Sequence, residues 1–113
     1  MKLLLVLIAL LQTPAPAPPQ ADALLQQAVE LQQAGDLLGA IAAYERALKI
    51  EPANPGARSN LGAALVRLGR YDEAIDEYRR AIEGDPSNPS FRFNLALAFY
   101  KAARIQEETA GTR

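Results

Sequence analysis

Chemistry at a protein surface needs nucleophiles, titratable pairs or metal ligands, and this chain offers few of them. Its 113 residues contain neither Cys nor His, which removes thiol nucleophiles, imidazole bases, disulfides and Cys/His zinc sites. The serines Ser59, Ser87 and Ser90 stand in no GxSxG or SxxK setting, so acyl transfer has no nucleophile in a recognisable place. Asp72, Glu73, Asp76 and Glu77 form the densest acidic cluster. Carboxylates at helical spacing can bind Ca²⁺ or divide acid and base roles. Here no aspartate-rich loop with a turning glycine surrounds them, and the cluster reads as the solvated first turns of a helix. The expectation is a non-enzyme with no catalytic residue, no cofactor and no metal.

What remains is the chemistry of recognition. Asn60 and Asn94 lie 34 residues apart, as do Arg67 and Lys101, and Arg70 and Arg104. An Asn amide both donates to and accepts from an extended peptide backbone; alternatively each Asn bonds within its own hairpin. The cations attract a carboxylate or an acidic peptide, or they complement the negative ends of helices. Phe91, Phe93, Phe99 and Tyr100 crowd one short stretch. Phe91 and Phe99 are expected to pack, Phe93 and Tyr100 to face a partner. Twelve Lys+Arg against thirteen Asp+Glu leave a net charge of −1, without the basic excess that nucleic-acid binding needs.

The elements that must carry these residues repeat with the same spacing. Shifting the chain by 34 residues pairs Gly35 with Gly69, Ala40 with Ala74, Ile41 with Ile75, Tyr44 with Tyr78, Ala47 with Ala81 and Pro52 with Pro86. A third copy begins at Pro89, matching Pro55, with Asn94 on Asn60 and Leu95 on Leu61; it lacks its last nine residues. The copies are 21–54, 55–88 and 89–113. Each reads as helix A, turn, helix B. In the second, Asn54-Pro55 opens helix A, Leu61, Leu65 and Leu68 mark its buried seam, and Gly69 stops it in the left-handed region. Asp72 and Glu73 suit the positive end of helix B, whose buried stripe is Ala74, Ile75, Tyr78, Ala81 and Ile82. Gly84-Asp85-Pro86 ends that helix.

Ahead of the copies, Lys2 precedes an unbroken apolar run, Leu3 to Leu11. Nine helical residues rise about 14 Å, whereas a bilayer core needs about 30 Å. The run is too short for a stable span and suits a secretory signal; a buried helix is the alternative. Thr13 to Pro19, TPAPAPP, reads as an extended linker. Residues 1–20 are thus expected to export the chain to the periplasm or the extracellular space.

Leu61, Gly62, Leu65, Gly69, Tyr71, Ala74, Tyr78, Ala81 and Pro86, on a fixed 34-residue period, resemble the tetratricopeptide repeat (TPR) family. The first copy matches at Ala28, Leu31, Gly35, Ala40, Tyr44, Ala47, Leu48 and Pro52. The resemblance covers 21–113. It implies an all-α fold, a short right-handed α-solenoid of antiparallel hairpins with about two and a half repeats. Small Ala28, Gly62 and Ala96 are expected to let helix B approach helix A. It also implies a protein-interaction scaffold that holds a partner peptide or helix in a groove lined by helix A. The groove candidates are Asn60, Ala63, Val66 and Arg67, then Phe93, Asn94, Leu97, Tyr100 and Lys101, with Ser59 beside the first set and Leu25, Val29, Gln32 and Gln33 in copy one.

The sequence departs from the family where a Trp is common near the start of helix A: Leu24, Arg58 and Arg92 stand there. Gln27 replaces the seam leucine in copy one. The carboxylate clamp of some family members is not reproduced, because Leu25, Val29, Ser90 and Asn94 occupy its places and only Asn60 fits. In copy three Ala103 replaces the turn glycine, so its helix A is expected to run on to about Glu108, with a short second helix from Ile105 as the alternative. Either way an apolar strip around Phe99 and Leu95 stays uncovered, for another copy, a partner or further repeats of a longer array to cover. Self-assembly through this unfinished repeat is the second functional reading.

Overall fold

The computed structural model describes residues 20–111, so the expected signal and most of the linker, 1–19, lie outside the described residues. Among the described residues there are five helices and no strand: α1 (Ala21–Gln33), α2 (Leu37–Ile50), α3 (Pro55–Arg67), α4 (Tyr71–Gly84) and α5 (Pro89–Gly111). α1 packs on α2, α3 on α4, and α2 and α4 join successive hairpins by packing on α3 and α5. None of these helices is long and apolar enough to cross a membrane.

The two hairpins turn by the same local chemistry. Gly35 (φ 87°) and Gly69 (φ 78°) adopt the left-handed conformation that a Cβ disfavours. Around them, Asp36 N–H donates to Leu31 O and Arg70 N–H to Leu65 O, both at 2.9 Å, while the glycine N–H groups donate three residues back. This paired pattern satisfies carbonyls that the ending helix leaves open. Asp36 then caps α2, its side chain accepting from Gly39 N–H at 2.9 Å. Asn54 caps α3 by accepting from Ala57 N–H at 3.0 Å, with Pro55 in the first turn.

Helices approach closely because the seams are lined with small residues. Ala28, Ala40, Ala64, Ala74 and Ala98 are fully buried. At Gly62 a Cβ would lie 2.7 Å from Tyr78 Cε1, so the Tyr78 ring occupies the space a side chain would take. Tyr44 and Tyr78 are the large buried plugs of the two hairpins. Gln27, at the seam position in copy one, is exposed, whereas neighbouring Leu24 is buried.

Three expectations need correction. Leu68 does not finish the α3 seam; it caps the helix and is part-exposed. Ala96 does not meet a helix B, because α5 runs straight through Ala103 to Gly111 and leaves Ala96 exposed. The continuation itself agrees with the missing turn glycine. Its consequence reaches Phe99, expected to pack but 43% exposed, with the Arg79 guanidinium 5.5 Å from its ring centroid. Phe91 does pack, at 7% exposure.

Candidate functional site

Between α1 and α3 lies an open recess of about 300 Å³ lined by Val29, Gln32, Gln33, Tyr44, Asn60 and Arg67. Each residue arrives there for a structural reason. Tyr44 is wholly buried as the plug of the first hairpin, yet its hydroxyl emerges at the recess and donates to Gln32 Oε1 at 2.8 Å. Burial pushes its phenol above the ordinary value. Arg67 reaches across from α3, and its Nη1 donates to Gln32 O at 3.2 Å. That carbonyl belongs to the last turn of α1, where acceptors lack helical partners and the dipole end is negative. Arg67 therefore complements the neighbouring helix rather than its own. A guanidinium has five donors, and this contact uses one.

Asn60 is exposed on α3, and neither its amide nor that of half-buried Asn94 makes a hydrogen bond within the described residues. The alternative that each Asn bonds inside its hairpin is thus not realised. The 34-residue spacing does bring the two amides onto consecutive A helices. Ala63 and Val66 are half-buried beside Asn60, and Val66 packs against the core. Ser59 is not a groove residue, being buried at 8% exposure.

In the second repeat the equivalent positions differ. Tyr78 takes the place of Tyr44, but Val66 stands where Gln32 stands, and the Tyr78 hydroxyl has no hydrogen-bond partner among the described residues. Burial raises its phenol as well. Asn94, Leu97 and Lys101 share the helical phase of Asn60, Ala63 and Arg67. Phe93 and Tyr100 point further round α5, on the phase of Ser59 and Val66, and are 68% and 58% exposed. Tyr100 and Lys101 line a shallow recess with Tyr71, Arg104 and Ile105.

The other charged candidates are tied locally. Arg70 chelates Glu73, which holds that carboxyl below its usual range. Arg104 donates to Glu108 at 3.2 Å. In the acidic cluster, Glu77 pairs with Arg58 at 2.9 Å and Asp76 with Arg79 at 4.0 Å. Arg58 also donates to Pro52 O at 3.0 and 3.2 Å, and Arg92 donates to Pro86 O at 3.3 Å. Sequence reading noted these arginines only as departures. Their common six-residue offset from Pro52 and Pro86, repeated after 34 residues, was the available signal that they staple each inter-repeat loop. The Tyr44 hydroxyl was missed for a similar reason. A core Tyr in place of Phe signals a polar atom that needs an outlet.

Fold and recess together define a helical-hairpin repeat protein with a partly polar recess between its first two A helices. The tetratricopeptide-repeat profile matches residues 25–89 and 66–108, and the chain belongs to that family. No curated protein sequence matches it. Among solved structures it is similar to the TPR2B-domain:pHsp70 complex of yeast Sti1, at 28% identity over 77% of this chain and 70% of that one, with a TM-score of 0.71. A mutant of MamA is 27% identical over 82% of this chain and 68% of that one, with a TM-score of 0.71. The first TPR of Spaghetti (RPAP3), bound to an HSP90 peptide, shares the fold at 20% identity over 78% of this chain and 70% of that one, with a TM-score of 0.72.

Proposed function

We propose that the chain is a non-catalytic interaction scaffold that holds an extended peptide of a partner protein along the concave face of α1, α3 and α5. The observation that carries this is the recess where the unengaged Asn60 amide and the partly used Arg67 guanidinium converge beside Val29 and Tyr44. An amide reads backbone groups of a peptide without regard to its side chains, and Arg67 favours a carboxylate near it. The family relationship supports a binding role, and the yeast Sti1 complex shows a relative of similar fold engaged with a protein ligand. We further propose that the scaffold works outside the cytosol, in the cell envelope or secreted space. Lys2 and the Leu3–Leu11 run support that reading.

Panning a random peptide library on the purified protein tests the groove. Selected peptides should lose at least about tenfold in affinity to Asn60→Ala or Arg67→Ala, the size expected for one hydrogen bond to a charged or amide group. They should be indifferent to Asp76→Ala. Peptides that bind the Asn60→Ala/Arg67→Ala double variant as well as the parent would refute the groove. For export, residues 1–20 fused to a phosphatase active only outside the cytosol should give activity that Leu7→Arg abolishes. An inactive parent fusion would refute it.

A further inference from the structure

The face of α5 turned away from α4 carries Phe93, Ala96, Leu97, Tyr100 and Ala103, all exposed. Their counterparts on α3 are covered or part-covered: Ser59 and Gly62 are buried, Ala63 and Val66 half-buried. Gly62 shows what the covering element supplies, since the Tyr78 ring of α4 lies where its Cβ would be. Ala96 is the same repeat position without a tyrosine above it.

That face also carries the other half of the contact. Helices α2 and α4 pack through one spacing of residues, Ala40-Ile41-Tyr44-Ala47 and Ala74-Ile75-Tyr78-Ala81. α5 repeats it out of register, as Ala96-Leu97-Tyr100-Ala103. One helix face thus presents both the small seat of a helix A and the tyrosine knob of a helix B. A surface that holds lock and key together is self-complementary, which is what an isologous two-fold contact requires.

We propose that the protein forms a homodimer through the outer faces of two antiparallel α5 helices, each acting as the missing helix B of the other. With the two-fold near Ala98, Tyr100 of each chain meets Ala96 of the partner subunit, and Phe93 meets Ala103 of the partner subunit. The overlap runs from Pro89 to Glu107, about 28 Å of helix at 1.5 Å per residue. One charge lies on the strip: Arg104, whose Nη1 donates to the Tyr100 hydroxyl at 3.4 Å, and its pairing with Glu108 at 3.2 Å means that it enters the contact with a counter-ion. The contact covers Phe93, Leu97 and Tyr100, the α5 end of the proposed groove, and leaves Asn60 and Arg67 on α3 open; peptide affinity in the α3 variants tests the groove, and sedimentation tests the dimer.

A contact of one helix per subunit is smaller than a standard interface of about 1,600 Å², so sedimentation velocity should show a reversible dimer with a dissociation constant of about 1–100 µM. Ala96→Arg and Tyr100→Glu should each weaken it at least about tenfold. Because both side chains are exposed, the dilute variants should keep the parent's helicity and melting temperature. Leu97→Cys lies beside the two-fold, in a chain with no cysteine of its own. It should cross-link to itself under mild oxidation much faster than Lys49→Cys on α2. A monomer throughout the concentration series overturns the proposal and leaves the face to a foreign helix or further repeats. So does a dimer indifferent to both variants, or Leu97→Cys cross-linking no faster than the control.

Discussion

Helices α3 and α5 occupy the same place in the repeat, share Asn60/Asn94 and Leu61/Leu95, and meet different fates. α3 is packed on two sides, by its own helix B and by the preceding hairpin. It buries Leu61 and Leu65 at 3% exposure each. α5 packs chiefly on α4, leaving Phe99, at the Leu65 position, 43% exposed. The two sequences do not differ in apolar content in the direction this predicts, since α5 is the more aromatic. The difference is made two residues past the end of α3, where Gly69 folds the chain back and Ala103 does not. Burial in a repeat protein is therefore a property of neighbours as well as of the helix's own residues.

The largest effect that separates the two helices comes from their tyrosines. Tyr78→Ala empties the space above Gly62 and should cost about 3–5 kcal/mol, the range for removing a buried aromatic. Ala74→Arg, which forces a charge into the same fully buried crossing, should cost a similar amount. A small domain holds about 5 kcal/mol or a little more, so either variant should be largely unfolded in a urea titration followed by circular dichroism. Tyr100→Ala, measured at dilute monomer concentration, should shift the midpoint by no more than about 0.5 kcal/mol. Comparable losses for Tyr78→Ala and Tyr100→Ala would mean that α5 is as covered as α3.

The next effect probes the turn. Gly69→Ala puts a Cβ on a residue at φ 78° and should destabilise by about 1–2 kcal/mol. The space around Gly69 is open, with no heavy atom within 4 Å of that Cβ, so the loss measures backbone conformation alone. Ala103→Gly removes about 1 kcal/mol of helix propensity from α5. It should speed amide exchange from Arg104 to Gly111 while leaving the global midpoint nearly fixed, because that stretch buries nothing. A cooperative loss of the whole fold on Ala103→Gly would show that the helical extension supports the hairpins.

Much of this architecture was legible because repeats expose their rules by repeating them. Gly35/Gly69, Tyr44/Tyr78 and Ala40/Ala74 recur where turn, plug and close approach need one residue type, and the structure uses them that way. The single long α5 was legible from Ala103. What stayed hidden was which surface a residue faces when its phase lies between two neighbours. Ser59 and Phe93 share a position; one is buried and the other is 68% exposed. Periodicity fixes phase on a helix but not the helices around it. The cross-element hydrogen bonds were hidden too, since Arg67 to Gln32 O joins residues 35 apart through a backbone atom that carries no sequence signal.

The smallest effect compares the two buried tyrosines directly. Tyr44 has Gln32 as a partner at 2.8 Å, whereas Val66 holds the Gln32 position in the repeat of Tyr78, whose hydroxyl has no partner among the described residues. Gln32→Val should cost about 0.5–1.5 kcal/mol, the net value of one neutral hydrogen bond, because the buried Tyr44 hydroxyl then depends on whatever water reaches the recess. The reverse exchange, Val66→Gln, offers Tyr78 a partner but withdraws an apolar side chain packed on the core. It must also order a longer side chain, at a cost of about 1.5–2 kcal/mol for Gln. Those two losses offset the new bond, so Val66→Gln should be neutral or mildly destabilising, within about 1 kcal/mol. The double exchange should equal the sum of the single ones, since the two positions serve separate tyrosines. A clear gain from Val66→Gln in urea titrations would show that the Tyr78 hydroxyl lacks only the acceptor. The asymmetry between the two tyrosines would then rest on that one residue rather than on the missing neighbour of α5.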